Sequence, residues 1–144
     1  MVGLGSVSVP VLKQYLRYVE TLDIDVPALL SRSHITVATL AQESERIAGE
    51  QLQAFLANLI IATDDPLFGL KSGAFVEPSS YSVLGYITMT CATLEQALER
   101  IQPYEKLVGD MGVTSINYQS KQLCINWHCA YTFEDVRDQM VDNV

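Results

Sequence analysis

The chain is poor in basic residues. It has 9 Lys and Arg against 17 Asp and Glu in 144 residues, which gives a formal net charge of -8. The basic residues are scattered singly, so they form no cluster that could release counterions from a phosphate backbone. We therefore do not expect this chain to bind nucleic acid directly.

Cysteine is scarce, and long apolar runs are missing. The 3 cysteines form no C-x-x-C pair, and their odd number points to a reducing compartment. The first residues lack the charged start and apolar stretch of a secretory signal. A membrane-spanning helix needs about 20 consecutive apolar residues, and no apolar run in this sequence approaches that length. These absences predict a soluble, cytoplasmic protein.

Motifs that carry catalysis are also missing. The sequence has no Ser-His-Asp string, phosphate-binding glycine loop or paired-carboxylate signature, so we expect no catalytic residue and no enzyme. His128 with Cys124 and Cys129 comes nearest to a metal site. However, residues 128 and 129 of a strand point to opposite faces, and no further ligand pair lies nearby. We therefore expect no metal ligand and no cofactor.

The composition and periodicity that are present predict one helix-rich domain. Hydrophobic residues make up 49% of the chain, enough for one self-supporting core. Apolar residues recur at helical spacing over 10–22, and Asp25 can cap a second helix over 27–32. The longest helix is expected over 44–63. The pattern leaves open whether 36–42 forms a separate helical turn.

A further helix begins at Thr93, which has capping-box spacing to Gln96. Pro103 lies inside this helix, where it cannot donate a hydrogen bond and its ring crowds the preceding turn. We therefore expect a kink or break close to Gln102. The break would turn three later residues toward the core or a pocket: Tyr104, Leu107 and Val108.

The period changes to two after this helix. Apolar and polar residues alternate over 116–129, with a turn at 120–122, which predicts a half-buried β-hairpin. Thr132 then caps a last helix with an apolar stripe of Phe133, Val136, Met140 and Val144. No stop signal follows, so we expect a truncated chain. The fold class is therefore α+β: a bundle of five to seven helices, an antiparallel β-hairpin and a further helix.

The middle of the chain carries a family resemblance. The ordered residues are Asp65-Pro66, Phe68-Gly69-Leu70, Gly73, Pro78, Leu84-Gly85-Tyr86, Thr93-Leu94-Glu95-Gln96-Ala97-Leu98, Tyr104 and Leu107. This string resembles the N-terminal effector domain of AraC-type bacterial transcription regulators, in the branch named after its arabinose-binding domain. The resemblance covers the middle third of the chain strongly, and the flanking helices and the hairpin in order and character.

The resemblance implies a sensory and oligomerising domain that binds a small-molecule effector and controls transcription as an activator or repressor. It also implies a homodimer, and DNA contact only through a C-terminal helix-turn-helix domain that this chain lacks. The contrasting classes are a small-molecule enzyme and a haem-type gas sensor. The terminal helix or the hairpin, with its unpaired edge, is the expected dimer surface.

Aromatic and sulfur-containing residues with polar tips are typical of small-molecule pockets. The candidate ligand-binding residues are Phe68, Tyr81, Tyr86, Met89, Tyr104 and Trp127. We further expect Gly85 to lie at a close helix contact, with Leu84 packed there and the Tyr86 hydroxyl directed toward a polar partner or a cavity.

Overall fold

The computed structural model describes residues 3–144. In this part of the chain the α-helices are α1 (Val9–Val19), α2 (Val26–Arg32), α3 (Val37–Leu40), α4 (Gly49–Thr63), α5 (Phe68–Gly73), α6 (Ser82–Met89), α7 (Leu94–Val108) and α8 (Glu134–Asn143). A 3-10 helix covers Pro78–Tyr81. The strands are β1 (Ser6–Ser8), β2 (Arg46–Ala48), β3 (Gly112–Gln119) and β4 (Gln122–Cys129).

This order confirms the predicted α+β class. Within residues 3–144, seven α-helices precede the β3–β4 hairpin, and one follows it. The strands pair antiparallel, with Gly112 opposite Cys129 and Gln119 opposite Gln122, so the turn is two residues long. No helix in the described part of the chain is long and apolar enough to cross a membrane.

The core is built around α1 and α4. Helix α1 buries residues on nearly every side, including Leu12 and Val19, and α4 contributes a fully buried stripe that includes Phe55 and Leu59. Phe68 at the start of α5 fills the space between the aromatic rings of α1. Burial of this apolar area is the main term that stabilises the fold.

A short N-terminal sheet ties the start of the chain to the end of α7. Strand β1 pairs with β2 on one side and forms a bridge to Gly109 on the other. The carboxylate of Asp110 accepts from the Ser6 amide at 3.0 Å, and this hydrogen bond, with Lys106 and Arg46 nearby, lowers the pKa of Asp110. The Arg46 guanidinium also donates to the Leu107 carbonyl at 3.0 Å.

The strand β2 was not predicted. It occupies residues that the sequence assigned to the start of the longest helix, so α4 begins at Gly49 rather than at residue 44. The open question over 36–42 is resolved by α3, a four-residue helix whose Thr36 side chain accepts from the Thr39 amide. The predicted caps of α2 by Asp25 and of α7 by Thr93 are confirmed.

Of the kink or break expected close to Gln102, the break is wrong. Helix α7 continues from Leu94 to Val108 with Pro103 inside it. Pro103 and Glu99 both lie on the exposed side, where water can satisfy the Glu99 carbonyl that loses its helical donor. Of the residues expected to turn inward, only Val108 is buried, whereas Tyr104 and Leu107 are exposed.

Helix α8 also differs from its prediction in part. It begins at Glu134, and the residue before it makes no capping hydrogen bond, so Thr132 is not the cap. Val136 and Met140 of the predicted stripe are buried in the core, whereas Phe133 and Val144 are exposed. The apolar stripe of this helix is therefore largely used within the chain.

A buried polar network fastens α8 to α5 and α1. Asn143 accepts from the Gln14 side chain at 2.8 Å and donates to Ser72 at 2.9 Å. The side-chain carbonyl oxygen of Gln139 accepts a hydrogen bond from the Gly69 backbone N–H at 2.7 Å. The two helices approach so closely that a Cβ at Gly69 would overlap the backbone of Gln139, whereas one at Gly73 would lie 3.2 Å from the nearest backbone oxygen.

We expect Gly69→Ala to lower the free energy of unfolding by about 1–3 kcal/mol, because the added methyl must push two helix backbones apart. Gly73→Ala in the same helix is the matched control, and its small clash is offset by the better helix propensity of alanine. Chemical denaturation of both variants checks this. Equal stability of Gly69→Ala and the parent protein would contradict the close contact.

Candidate ligand-binding cavity

A cavity of about 580 Å³ lies between the α6–α7 pair and the β3–β4 hairpin. Its volume falls in the range typical of small-molecule sites, about 300–1,000 Å³. It borders the main core, to which its lining residues Leu84 and Val108 belong, and reaches solvent at its rim. Three walls enclose it, one from each of α6, α7 and the hairpin.

The first wall comes from the 3-10 helix and α6. Its lining residues are Tyr81, Leu84, Gly85, Thr88 and Met89. Leu84 is buried, and Gly85 lies against the Pro78 carbonyl so closely that any side chain would collide with it. The predicted close contact at Gly85 and the packing of Leu84 are therefore confirmed.

The second wall is one face of α7. Its lining residues are Leu94, Ala97, Leu98, Ile101, Glu105 and Val108. Their spacing of three and four residues is that of a single helical stripe. Leu98 and Val108 are buried at the inner end, whereas Leu94 is 74% exposed at the rim. The apolar stripe of α7 thus lines the cavity over much of its length.

The third wall is the apolar face of the hairpin. Thr114 lies opposite Trp127, and Ile116 lies opposite Ile125, so the register places these residues on one face. Thr114, Ile125 and Trp127 line the cavity together with Gly112. The Trp127 ring covers Gly112, where a Cβ would lie 2.5 Å from its Cε2 atom.

Two side chains of α7 hold the hairpin in this position. The Gln102 amide donates to the Thr114 carbonyl at 3.0 Å, and the Glu105 carboxylate accepts from the Thr114 N–H at 2.9 Å. Both bonds lie on the edge of β3 that faces away from β4. They satisfy backbone groups that would otherwise be an open strand edge.

The cavity has few polar groups. Among its lining residues in the described part of the chain, Glu105 has the only charged side chain, and neither Lys, Arg nor His is present. Burial raises the pKa of the Tyr81 hydroxyl, which keeps it protonated and able to donate. The arrangement suits the binding of an apolar body with a small number of polar contacts.

The structure brings together three of the six candidate ligand-binding residues: Tyr81, Met89 and Trp127. Phe68 is fully buried in the core, away from the cavity. Tyr86 is 59% exposed and borders a shallow groove beside Lys13 and Arg17, and Tyr104 lies on the outer side of α7.

Several lining residues were not predicted from the sequence. The most informative is Glu105, because it combines a charge with a hydrogen bond to the hairpin. The available signal was its position seven residues after Leu98, on the same helical stripe. Its partner Thr114 gave no comparable signal, because the contact depends on how the hairpin folds back.

The strand pattern separates the residues that resembled metal ligands. Cys129 shares the face of Trp127, whereas His128 and Cys124 occupy the opposite face. Burial raises the pKa of the Cys129 thiol. Among residues 3–144, no group of three or more His, Cys, Asp or Glu side chains could hold a metal ion.

A family model matches residues 24–144 of the chain. The model is described as the N-terminal arabinose-binding domain of AraC transcription regulator. The chain belongs to this family. The family is a regulatory ligand-binding domain of a transcription factor. A search of curated proteins found no match to the chain. In this AraC-type domain the matched region contains all three walls of the cavity.

The joint between the 3-10 helix and α6 is strained in this AraC-type domain. Ser82 has φ 52° and ψ -138°, a conformation that residues with a Cβ rarely adopt. Such a residue costs on the order of 1–3 kcal/mol and is kept only where its surroundings require it. Here the sharp turn lets Tyr81 and Leu84 both face the cavity.

We expect Ser82→Gly to raise the free energy of unfolding by about 1 kcal/mol, because glycine adopts this backbone conformation without strain. Ser79→Gly, in the preceding 3-10 helix, should instead lower it, because glycine loses more conformational entropy at an unstrained position. Thermal unfolding of the two variants checks the sign. A destabilised Ser82→Gly would show that the turn is not strained.

Proposed function

We propose that this domain binds a small, largely apolar effector in the cavity between α6, α7 and the hairpin, and that binding regulates transcription. The observation that supports this proposal is the cavity itself: a volume of about 580 Å³ with aromatic and aliphatic walls in a family of regulatory ligand-binding domains. Tyr81, Met89 and Trp127 are the sequence-predicted residues that we propose as ligand contacts.

The wall composition favours an apolar effector over a free sugar. Arabinose, the sugar in the family's name, carries several hydroxyl groups, and each needs a hydrogen-bond partner when it is buried. The side chains that can provide such partners are few: Tyr81, Thr88, Glu105, Thr114 and Trp127. Two of them, Thr88 and Glu105, already bond to main-chain groups.

The only tryptophan of the chain, Trp127, lies in the cavity wall and can report its occupancy. We expect para-bromophenethyl alcohol to quench Trp127 emission with saturation, because the bromine of a bound molecule would contact the indole. Ala97→Phe should weaken this binding by about tenfold or more, because the added ring occupies space in the cavity. Fluorescence titration measures both effects.

Glu99→Phe is the control, since it adds the same ring to an exposed position of the same helix. It should leave the quenching unchanged. Unsaturable quenching in the parent protein, or equal affinity of Ala97→Phe and the parent, would contradict ligand binding in this cavity. Arabinose in the same titration tests the preference for an apolar ligand.

We propose that DNA contact is made by another domain of the same regulator, in the bacterial cytoplasm, and that residues 1–144 act as a single effector-binding unit. The net charge of -8 supports this division, because an acidic domain is repelled by phosphate groups. Several of the scattered lysines and arginines are also paired with carboxylates or main-chain carbonyls of the same chain. Lys13, for example, binds the Glu43 carboxylate at 2.9 Å.

A second copy of the chain is the partner that we propose for the outer part of the hairpin. Two apolar residues beyond the cavity rim, Tyr118 and Leu123, are exposed on the same face of the hairpin as Ile125, which lines the cavity. A two-stranded sheet is only marginally stable by itself, and a strand edge without a partner favours pairing with another copy of the chain. Helix α8 is a weaker candidate, because Val136 and Met140 are already buried within the chain.

We expect Leu123→Glu to convert a dimer into a monomer, because it places a charge on the proposed interface. Gln122→Glu adds the same charge to the opposite face of the same strand and should leave the dimer intact. Light scattering at on the order of tens of micromolar protein, where a stable interface of more than about 1,000 Å² persists, measures the mass. A monomeric parent protein would contradict self-association.

A further inference from the structure

A carboxylate and an indole ring lie on either side of one residue, Thr114, in the cavity wall. The Glu105 carboxylate accepts from the Thr114 N–H at 2.9 Å, and Trp127 lies directly opposite Thr114 in the hairpin. Both side chains also line the cavity. The hairpin register and the helix-to-strand hydrogen bond thus place an anionic group and the largest aromatic face beside the same residue.

Glu105 and Trp127 together favour a cationic ligand group over a neutral or anionic one. One oxygen of Glu105 is engaged by the Thr114 amide, and the carboxylate has a second oxygen with which to accept a hydrogen bond. A cation next to a carboxylate gains a charge-assisted hydrogen bond, and a cation over an indole gains a cation–π contact. An anion would be repelled by the Glu105 carboxylate and would find no basic partner among the lining side chains of the described residues.

We propose that the effector carries a positively charged nitrogen on an apolar body, with Glu105 as its charge partner and Trp127 packed against the cation. This inference rests on the proposed function and narrows the class of ligand. The apolar body lies along the aliphatic stripe of α7, and the Tyr81 hydroxyl offers one further polar contact. The formal net charge of -8 adds a general attraction for cations.

Three probes with nearly the same apolar body test the inference by quenching of Trp127. They are para-bromophenethylammonium, para-bromophenethyl alcohol and para-bromohydrocinnamate, which are cationic, neutral and anionic at neutral pH. The parent protein should bind the ammonium probe about tenfold or more tightly than the alcohol, and the anion least. Each titration uses the 144-residue chain.

Glu105→Gln is the decisive variant, because its amide oxygen still accepts from the Thr114 N–H while the charge is removed. It should reduce binding of the ammonium probe by about tenfold and leave binding of the alcohol within about twofold. Glu99→Gln removes the same charge from an exposed position of α7 and should change neither affinity. Unfolding curves should show that both variants are fully folded at the temperature of the titrations.

The outcomes separate this inference from the proposed function. If the alcohol binds as tightly as the ammonium, or if Glu105→Gln weakens both equally, the preference for a cation is overturned while ligand binding in the cavity stands. If no probe gives saturable quenching, the proposed function fails and the inference fails with it. Selective loss of the ammonium probe in Glu105→Gln supports both.

Discussion

Two hydrogen bonds from α7 to the backbone of Thr114 determine the shape of the site. A two-stranded hairpin is marginal by itself, so its angle to the helices must be imposed by contacts with the rest of the chain. Gln102 and Glu105 provide such contacts from one helix, at 3.0 and 2.9 Å. They hold the apolar face of the hairpin above the helix, and the space that remains between them is the cavity.

The same contact gives Glu105 two roles. As a hydrogen-bond acceptor it covers part of the open edge of β3, a common site of unwanted strand pairing. As a carboxylate it brings a charge to an otherwise apolar wall. Glu105 therefore contributes both to the position of the hairpin, together with Gln102, and to the electrostatics of the cavity.

The folding core and the cavity are built from different parts of the chain. Helices α1, α4, α5 and α8 bury many of the largest side chains, and the polar network around Asn143 joins α1, α5 and α8. The α6–α7 pair and the hairpin contact this body through Leu84, Val108, Trp127 and Cys129, and the end of α7 is joined to the N-terminal sheet. Wall residues outside the core cluster, such as Met89, Leu94 and Ile101, can therefore vary with limited effect on the principal core.

Local patterns in the sequence determined most of the elements, because they depend on neighbours in the chain. The caps by Asp25 and Thr93, the stripe of α1 and the two-residue period of the hairpin are of this kind. Only the tertiary structure decided which aromatic residues reach the cavity. Phe68 and Trp127 were both candidates from residue type, but packing buries Phe68 in the core and leaves Trp127 in the cavity wall. Strand β2 and the Glu105–Thr114 contact likewise depend on groups brought together by folding, and no periodicity encodes such partners.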